Sequence, residues 1–408
     1  MALKDRKLEG LVRAEIKRQE ETLDLIASEN LVSAEVLKIL GSPLTNKYSE
    51  GYPGRRYYPG NFYYDEIEKL AEERALKLFS LSPKQWQVNV QPYSGSPANF
   101  AVYAALVPRG GKIMGMKLAA GGHLTHGHKV SLTGQFWQSV QYGVNSRGLI
   151  DYKEVEKLAK KFKPDLIVSG FTAYPRKVNF KKFGEIARSV GAYHLADISH
   201  IAGLVVGRVH PAPFAWADVV TTTTHKTLRG PRGAVIFSRK ELSPLIDRAV
   251  FPGLQGGPHN NVTGAMAMAF FEASQPEFKK YARQIVKNAK ALAGSLKKLG
   301  VKLSTGGTET HLILVDARSL GLDGMTAEKK LEEAGIIANR NSLPDDSSPF
   351  RPSGIRLGTP ALTSRGMREK EMEEVAGLIF GVLTGEANIR SKVKALCKKF
   401  PAKSLLGV

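Results

Sequence analysis

Val219-Val-Thr-Thr-Thr-Thr-His-Lys226-Thr-Leu-Arg-Gly-Pro-Arg-Gly233 opens with six β-branched residues and closes in a glycine- and proline-rich turn. The first half favours a pleated strand and the second half ends it, so a lysine is delivered to a strand's carboxyl end. Similar short runs lie on both sides, at 87–90, 112–116, 166–169, 193–196 and 233–237, with helical patterns between them, including 98–106, and a further helix before them at 66–79. Strands alternating with helices specify an α/β fold with a mainly parallel sheet covered on both faces. Ligands of such sheets bind at the carboxyl ends of the strands. Residues to about 45 read as a loosely amphipathic helical arm, with Leu11, Ile16, Leu23 and Ile26 spaced along it. After the Gly/Pro-rich segment 251–259 the pattern predicts a helix to about 299, strands near 301–303 and 312–316, and further helices. The expected divisions are an arm 1–45, a large α/β domain 46–275 and a smaller α+β domain 276–408.

A lysine at a strand end can be desolvated, which lowers its pKa and frees the amine to form an imine with an aldehyde. Taken alone, Lys226 reads equally as an exposed lysine, the commonest state of that residue. The neighbouring features add chemistry. His194-Leu-Ala-Asp197 is an apolar strand ending in a carboxylate. Asp197 is placed either to cap a helix or to hold the proton of a pyridine ring that acts as an electron sink. Ser94-Gly95-Ser96-Pro97 closes one strand and opens a helix, with Ser96 as N-cap and Pro97 at the first helical position; such a helix start suits a phosphate. No Walker-type or G-x-G-x-x-G loop competes for that role. In Gly121-Gly-His123-Leu-Thr-His126-Gly-His128 the three histidines lack a cysteine or carboxylate ligand among them, so stacking of an imidazole on a flat ring is favoured over a metal site.

The 408 residues are 42% hydrophobic and 24% charged, the balance of a globular chain long enough for more than one core. A single cysteine, Cys397, excludes an intrachain disulfide and a thiolate metal cluster. The charged amino-terminal stretch lacks the apolar core of a signal peptide, and no run of eighteen apolar residues is available to span a membrane; a cytoplasmic location is expected. The formal charge of +21 favours anionic partners. Lysines at helical spacing in 277–299 and 386–400 make solvated helix faces the plainer reading, and nucleic acid is not required.

Several longer blocks occur in order: LIASEN at 25–30, LTNKYSEGYPGRRYY at 44–58, NVQPYSGS at 89–96, GGHLTHG at 121–127, the 221–233 block, VFPGLQGGP at 250–258 and SGIRLGTP at 353–360. In these blocks the chain resembles the serine hydroxymethyltransferase family. The resemblance implies an aspartate-aminotransferase-like, fold-type I pyridoxal-phosphate transferase with a seven-stranded sheet in its large domain. It implies that Lys226 holds the cofactor as a Schiff base, Asp197 meets the pyridine nitrogen, His123 stacks on the ring, and Thr172 and His200 lie beside its phenolic oxygen. Phosphate is then received by Ser94, Gly95, Ser96 and His225, with Tyr48 and Gly256 from a second subunit, so at least a homodimer is implied and a tetramer is compatible. Substrate serine or glycine is assigned to Ser28, Tyr58 and Arg356, a planar guanidinium being suited to a carboxylate. Glu50 is assigned proton transfer, with Tyr58, His225 and Thr223 as further catalytic groups beside Lys226. A tetrahydropterin cosubstrate, tetrahydrofolate or tetrahydromethanopterin, is assigned to Tyr57, Leu118, Gly122, Leu124 and Asn341; no metal is implied.

The chain departs from the family pattern at four places. Thr172 stands where serine is usual, Tyr93 where histidine is usual, Pro97 where glutamine is usual, and Pro59-Gly-Asn-Phe62 where Gly-Gly-Cys-Glu is usual. The last lies beside the substrate residues, which keeps open an aldolase of β-hydroxy amino acids or an α-methylserine hydroxymethyltransferase.

Overall fold

The computed structural model describes residues 3–346, 348 and 350–402. The chain divides into two compact units, one of Glu35–Ala282 and one of Met1–Ala34 with Arg283–Val408. The amino-terminal stretch that the sequence set apart as an arm is thus divided, and its first 34 residues belong to the unit of the carboxyl-terminal segment.

The first unit is built on a seven-stranded sheet. Its strands are β1 (Trp86–Asn89), β2 (Lys112–Met116), β3 (Gln138–Tyr142), β4 (Leu166–Gly170), β5 (Tyr193–Asp197), β6 (Val219–Thr223) and β7 (Ala234–Arg239), in the spatial order β1-β7-β6-β5-β4-β2-β3. The pairs from β6 through β5, β4 and β2 to β3 are parallel, and β7 runs antiparallel to both β1 and β6. Strands β4 and β6 are buried along their whole length, as expected where helices cover both faces. The helix Gly95–Leu106 lays Ala98, Val102 and Leu106 in a cluster with Val168, Leu195 and Ile236 of the sheet. Each large apolar side chain so buried contributes about 1.5–3 kcal/mol.

Three local expectations are corrected. Strand β3 was not anticipated: it forms the sheet edge, and its sequence QSVQY is only partly covered. The helix after 251–259 is two helices, Asn260–Ser274 and Pro276–Lys298, because Pro276 excludes its preceding residue from helical geometry and starts a new helix. The helix after β1 begins at Gly95 with Ser94 as N-cap, which moves Ser96 and Pro97 inside the first turn.

In the second unit, β8 (Lys302–Leu303), β9 (Leu312–Asp316), β10 (Asn339–Asn341) and β11 (Gly354–Gly358) form an antiparallel sheet in the order β8-β9-β11-β10. Leu23 and Leu25 are fully buried in its core with Ile313, Leu357 and Ile379. Leu23–Asp24 pairs in parallel with Ile336–Ile337, and Gly358 donates its N–H to the Leu25 carbonyl at 2.7 Å. The buried Arg365 donates to the carbonyls of Thr22 and Cys397 at 2.9 and 3.0 Å, which joins the end of the first helix to the helix Ile389–Lys399 within this unit.

Candidate active site

The carboxyl ends of β2, β4, β5 and β6 lie side by side, and the residues after them converge. Asp197, the last residue of β5, sits in register with Gly170 of β4 and Thr221 of β6. A Cβ on Gly170 would lie 2.2 Å from the Asp197 carbonyl oxygen, and its φ of 146° suits glycine alone, so this glycine makes room for the aspartate.

Asp197 Oδ2 accepts from Asn99 Nδ2 at 2.9 Å and meets His126 Nε2 at 3.1 Å, while Oδ1 accepts from the Ser199 N–H at 3.0 Å. Burial alone would raise its pKa; the His126 bond and charge, with the bonds from Ser199 and Asn99, overcome that and hold the carboxyl well below the usual range. Asp197 is therefore a buried anion with fixed orientation. It caps no helix: the next helix, Ala202–Val206, has Ile201 as N-cap. Behind it Thr221 Oγ1 donates to Asn99 Oδ1 at 2.7 Å, and Asn99 Nδ2 also reaches Thr125 Oγ1 at 3.0 Å.

The loop after β2 carries Leu118, Gly122, His123, Leu124, Thr125 and His126 together. His123 Nδ1 meets Thr125 Oγ1 at 2.8 Å, and its ring centroid lies 5.8 Å from that of His126. Among the described residues, no group of three or more His, Cys, Asp and Glu side chains is placed to hold a metal ion. Thr172, just past β4, donates its N–H to the Gly121 carbonyl at 2.7 Å and joins that strand end to the β2 loop. His200 is buried, and its carbonyl accepts from Thr227 Oγ1 at 3.1 Å.

Past β6, His225 and Lys226 follow Thr223. Burial first, then the positive charges of Lys226 and Arg232, push the His225 imidazole down to about 3, so it is neutral near pH 7. Its Nδ1 is buried and has no hydrogen-bond partner among the described residues. Thr223 Cγ2 lies where a Cβ on Gly95 would approach to 2.8 Å, which brings the helix start at 94–96 against the end of β6. Ser94 makes no side-chain capping bond, and the N–H groups of a first helical turn have no partner within the helix.

A second group gathers in the same unit. A Cβ on Gly256 would lie 3.3 Å from Glu50 Oε1, and one on Gly257 would lie 2.9 Å from the Tyr48 ring. Tyr48 and Tyr58 have ring centroids 5.5 Å apart, and Tyr57 packs edge-on against Phe251 at 5.6 Å.

In the other unit, Arg356 of β11 is buried and pairs with Leu314 and Asn339, while Asn341 pairs with Gly354. Arg356 Nε donates to Asn339 Oδ1 at 3.1 Å. Burial draws the guanidinium down to about 10 against the opposing pull of Glu29, so it stays charged at neutral pH. Ser28 follows Ala27, against which Gly358 packs: a Cβ on Gly358 would lie 2.4 Å from the Ala27 Cα.

Sequence reading missed Asn99, Thr125 and Ser199, which hold the aspartate network, and gave His126 no such task. A signal for Asn99 existed: it is the only amide side chain in the otherwise apolar stretch 98–106.

A mainly parallel seven-stranded sheet with a buried aspartate ending one strand and a lysine just beyond the next is the arrangement expected of a fold-type I pyridoxal-phosphate enzyme, the class to which the matching family belongs. The residues present fit that cofactor. A fixed anion suits a protonated pyridine, helix-start N–H groups without a side-chain cap suit a phosphate, and His225 Nδ1 is a buried polar atom with no partner among the described residues. A sequence model described as serine hydroxymethyltransferase matches residues 1–379. The serine hydroxymethyltransferase of Desulfotalea psychrophila is 51% identical over 408 residues, covering 98% of this chain and 95% of its own. That of Acidothermus cellulolyticus is 52% identical over 415 residues, covering 98% and 96%, and that of Mycoplasma mobile 50% over 413 residues, covering 98% of each. The chain belongs to the serine hydroxymethyltransferase family, pyridoxal-phosphate transferases that interconvert serine and glycine with a tetrahydropterin as one-carbon acceptor.

Proposed function

We propose that the residues gathered above divide the work of serine–glycine interconversion as follows. Lys226 holds the cofactor aldehyde through its ε-amine, and Asp197 keeps the pyridine nitrogen protonated. Ser94, Gly95, Ser96 and His225 receive the phosphate with Tyr48 and Gly256, His123 lies on the ring face, and Thr172 and His200 flank the phenolic oxygen. The buried Asp197 anion carries this reading: His126, Asn99 and the Ser199 N–H keep the carboxylate charged and fixed in orientation, and a fixed anion is what a protonated pyridine nitrogen needs as its partner. When bound, pyridoxal phosphate supplies an aldehyde and an electron-accepting ring.

Arg356, with Ser28 and Tyr58, orients the substrate carboxylate. Glu50 moves the proton at the substrate hydroxyl, assisted by Tyr58, and Thr223 and His225 set the surroundings of the Lys226 amine. Tyr57, Leu118, Gly122, Leu124 and Asn341 receive the pterin, either tetrahydrofolate or tetrahydromethanopterin. The protein acts as a homodimer that shares its sites: Tyr57 is 72% and Tyr48 60% exposed, as expected of aromatic side chains that complete a neighbour's site. Among the described residues no helix is long and apolar enough to cross a membrane, and a cytoplasmic location is part of this reading.

The test is turnover. Purified protein with serine and tetrahydrofolate, and separately with tetrahydromethanopterin, is expected to release glycine with one of the two. No glycine with either, or equal turnover without pterin, overturns the assignment.

A further inference from the structure

Tyr93 lies past the end of β1 and immediately before the helix start at 94–96, and its contacts lead away from the sheet. Its ring lies flat on His259, with centroids 4.1 Å apart and planes within 4°. Its hydroxyl donates to the Gly257 carbonyl at 2.8 Å. Its N–H donates to Gln255 Oε1 at 3.0 Å, and the buried Gln255 spends its other end on the Gln91 carbonyl, at 2.8 Å. Three hydrogen bonds and a ring stack therefore knit the chain at 91–93 to the chain at 255–259. The joined turn is also closely packed, since a Cβ on Gly257 would come within 2.9 Å of the Tyr48 ring and one on Gly256 within 3.3 Å of Glu50 Oε1.

We propose that Tyr93 is a positioning residue for the cofactor phosphate, fixing the 256–257 turn relative to the helix start at 94–96. The inference rests on the reading that these two segments receive the phosphate. Through Tyr93 a displacement of either segment is passed to the other. In the shared-site dimer proposed above, each Tyr93 thereby bears on its own protomer's cofactor and on the one its 256–257 turn serves.

A tie that only supports packing would affect every ligand of the site alike, whereas a tie that sets the phosphate seat affects ligands that carry a phosphate. The probes are pyridoxal phosphate and pyridoxal, titrated into cofactor-free full-length protein and followed by absorbance and tryptophan fluorescence. Tyr93→Phe keeps the stack and loses the bond to Gly257; Tyr93→Leu loses both. The expected result is about fivefold weaker pyridoxal phosphate binding in Tyr93→Phe, from one hydrogen bond, and about 10- to 50-fold in Tyr93→Leu with the aromatic pair also gone. Pyridoxal affinity stays within about twofold in both. If the leucine variant does not fold, the phenylalanine variant alone decides. Equal weakening of both ligands, or unchanged preference for pyridoxal phosphate in both variants, overturns the role of Tyr93. If the unaltered protein itself binds pyridoxal as tightly as pyridoxal phosphate, the phosphate seat fails, and this inference with it.

Discussion

Arg356→Lys is the sharpest test of the proposed carboxylate clamp, because two independent consequences follow from the burial of this side chain. The guanidinium is held in plane by its Nε bond to Asn339 Oδ1 at 3.1 Å. A lysine ammonium is a point donor that cannot satisfy Asn339 and also make two parallel bonds to a carboxylate. Losing one charge-assisted hydrogen bond costs about 1.5–3 kcal/mol, which corresponds to a KM for serine raised about 10- to 150-fold near pH 7. The second consequence is a new pH dependence. Burial draws Arg356 down to about 10; a similar lowering applied to a lysine, ordinarily about 10.4, leaves it at ~8. The cation that binds substrate is present below that pKa and lost as pH rises through it. KM for serine in the variant should therefore climb steeply between about pH 7 and 9, where Arg356 remains charged and the unaltered enzyme stays nearly flat. Steady-state kinetics at saturating pterin, with kcat followed alongside, reads both effects. A variant whose KM stays within about twofold of the original, or whose KM does not rise with pH, refutes the clamp.

Three further outcomes are expected. Gly170→Ala places a methyl 2.2 Å from the Asp197 carbonyl oxygen at a φ of 146°, so thermal unfolding should show destabilisation of about 3 kcal/mol or more, with cofactor affinity falling too; a loss below about 1 kcal/mol contradicts the packing described. His194 is buried between Ser169 Oγ at 2.7 Å and the Trp216 carbonyl at 3.0 Å, and burial pushes it down to about 4. The unfolded chain takes up a proton as pH falls through about 6.5 while the folded chain does not until about 4, so this residue should remove about 3 kcal/mol of stability across that window. Denaturant melts of His194→Gln should lack that part of the slope. His126→Ala, which removes one of three groups holding Asp197, should lower kcat/KM for serine, and His126→Gln should recover part of it; an unimpaired alanine variant would show that the orientation of Asp197 is not set by His126.

Much of the architecture was legible because it is local. Six β-branched residues before a glycine-rich turn place Lys226 at a strand end whatever lies around it, and the run ending in Asp197 behaves likewise. Strand β3 escaped because an edge strand needs only one covered side, and its polar sequence has no strong periodicity. The helix start was misplaced by two residues because Ser94 and Ser96 are both chemically suited to cap it, and only the backbone decided for Ser94.

By itself the sequence determined the alternation of strands and helices that makes an α/β fold, the lysine and the aspartate each at a strand end, the family and hence the reaction, because these depend on residue type and spacing along the chain. Only the tertiary structure decided what sets the charge and aim of those groups. Asn99, His126 and Ser199 meet on Asp197 from three separate segments, and Tyr93, Gln255 and His259 meet across more than 160 residues of chain. The physical reason is that burial and hydrogen bonding shift a pKa or fix a loop through space, and distances between segments remote in sequence exist only once the sheet has assembled.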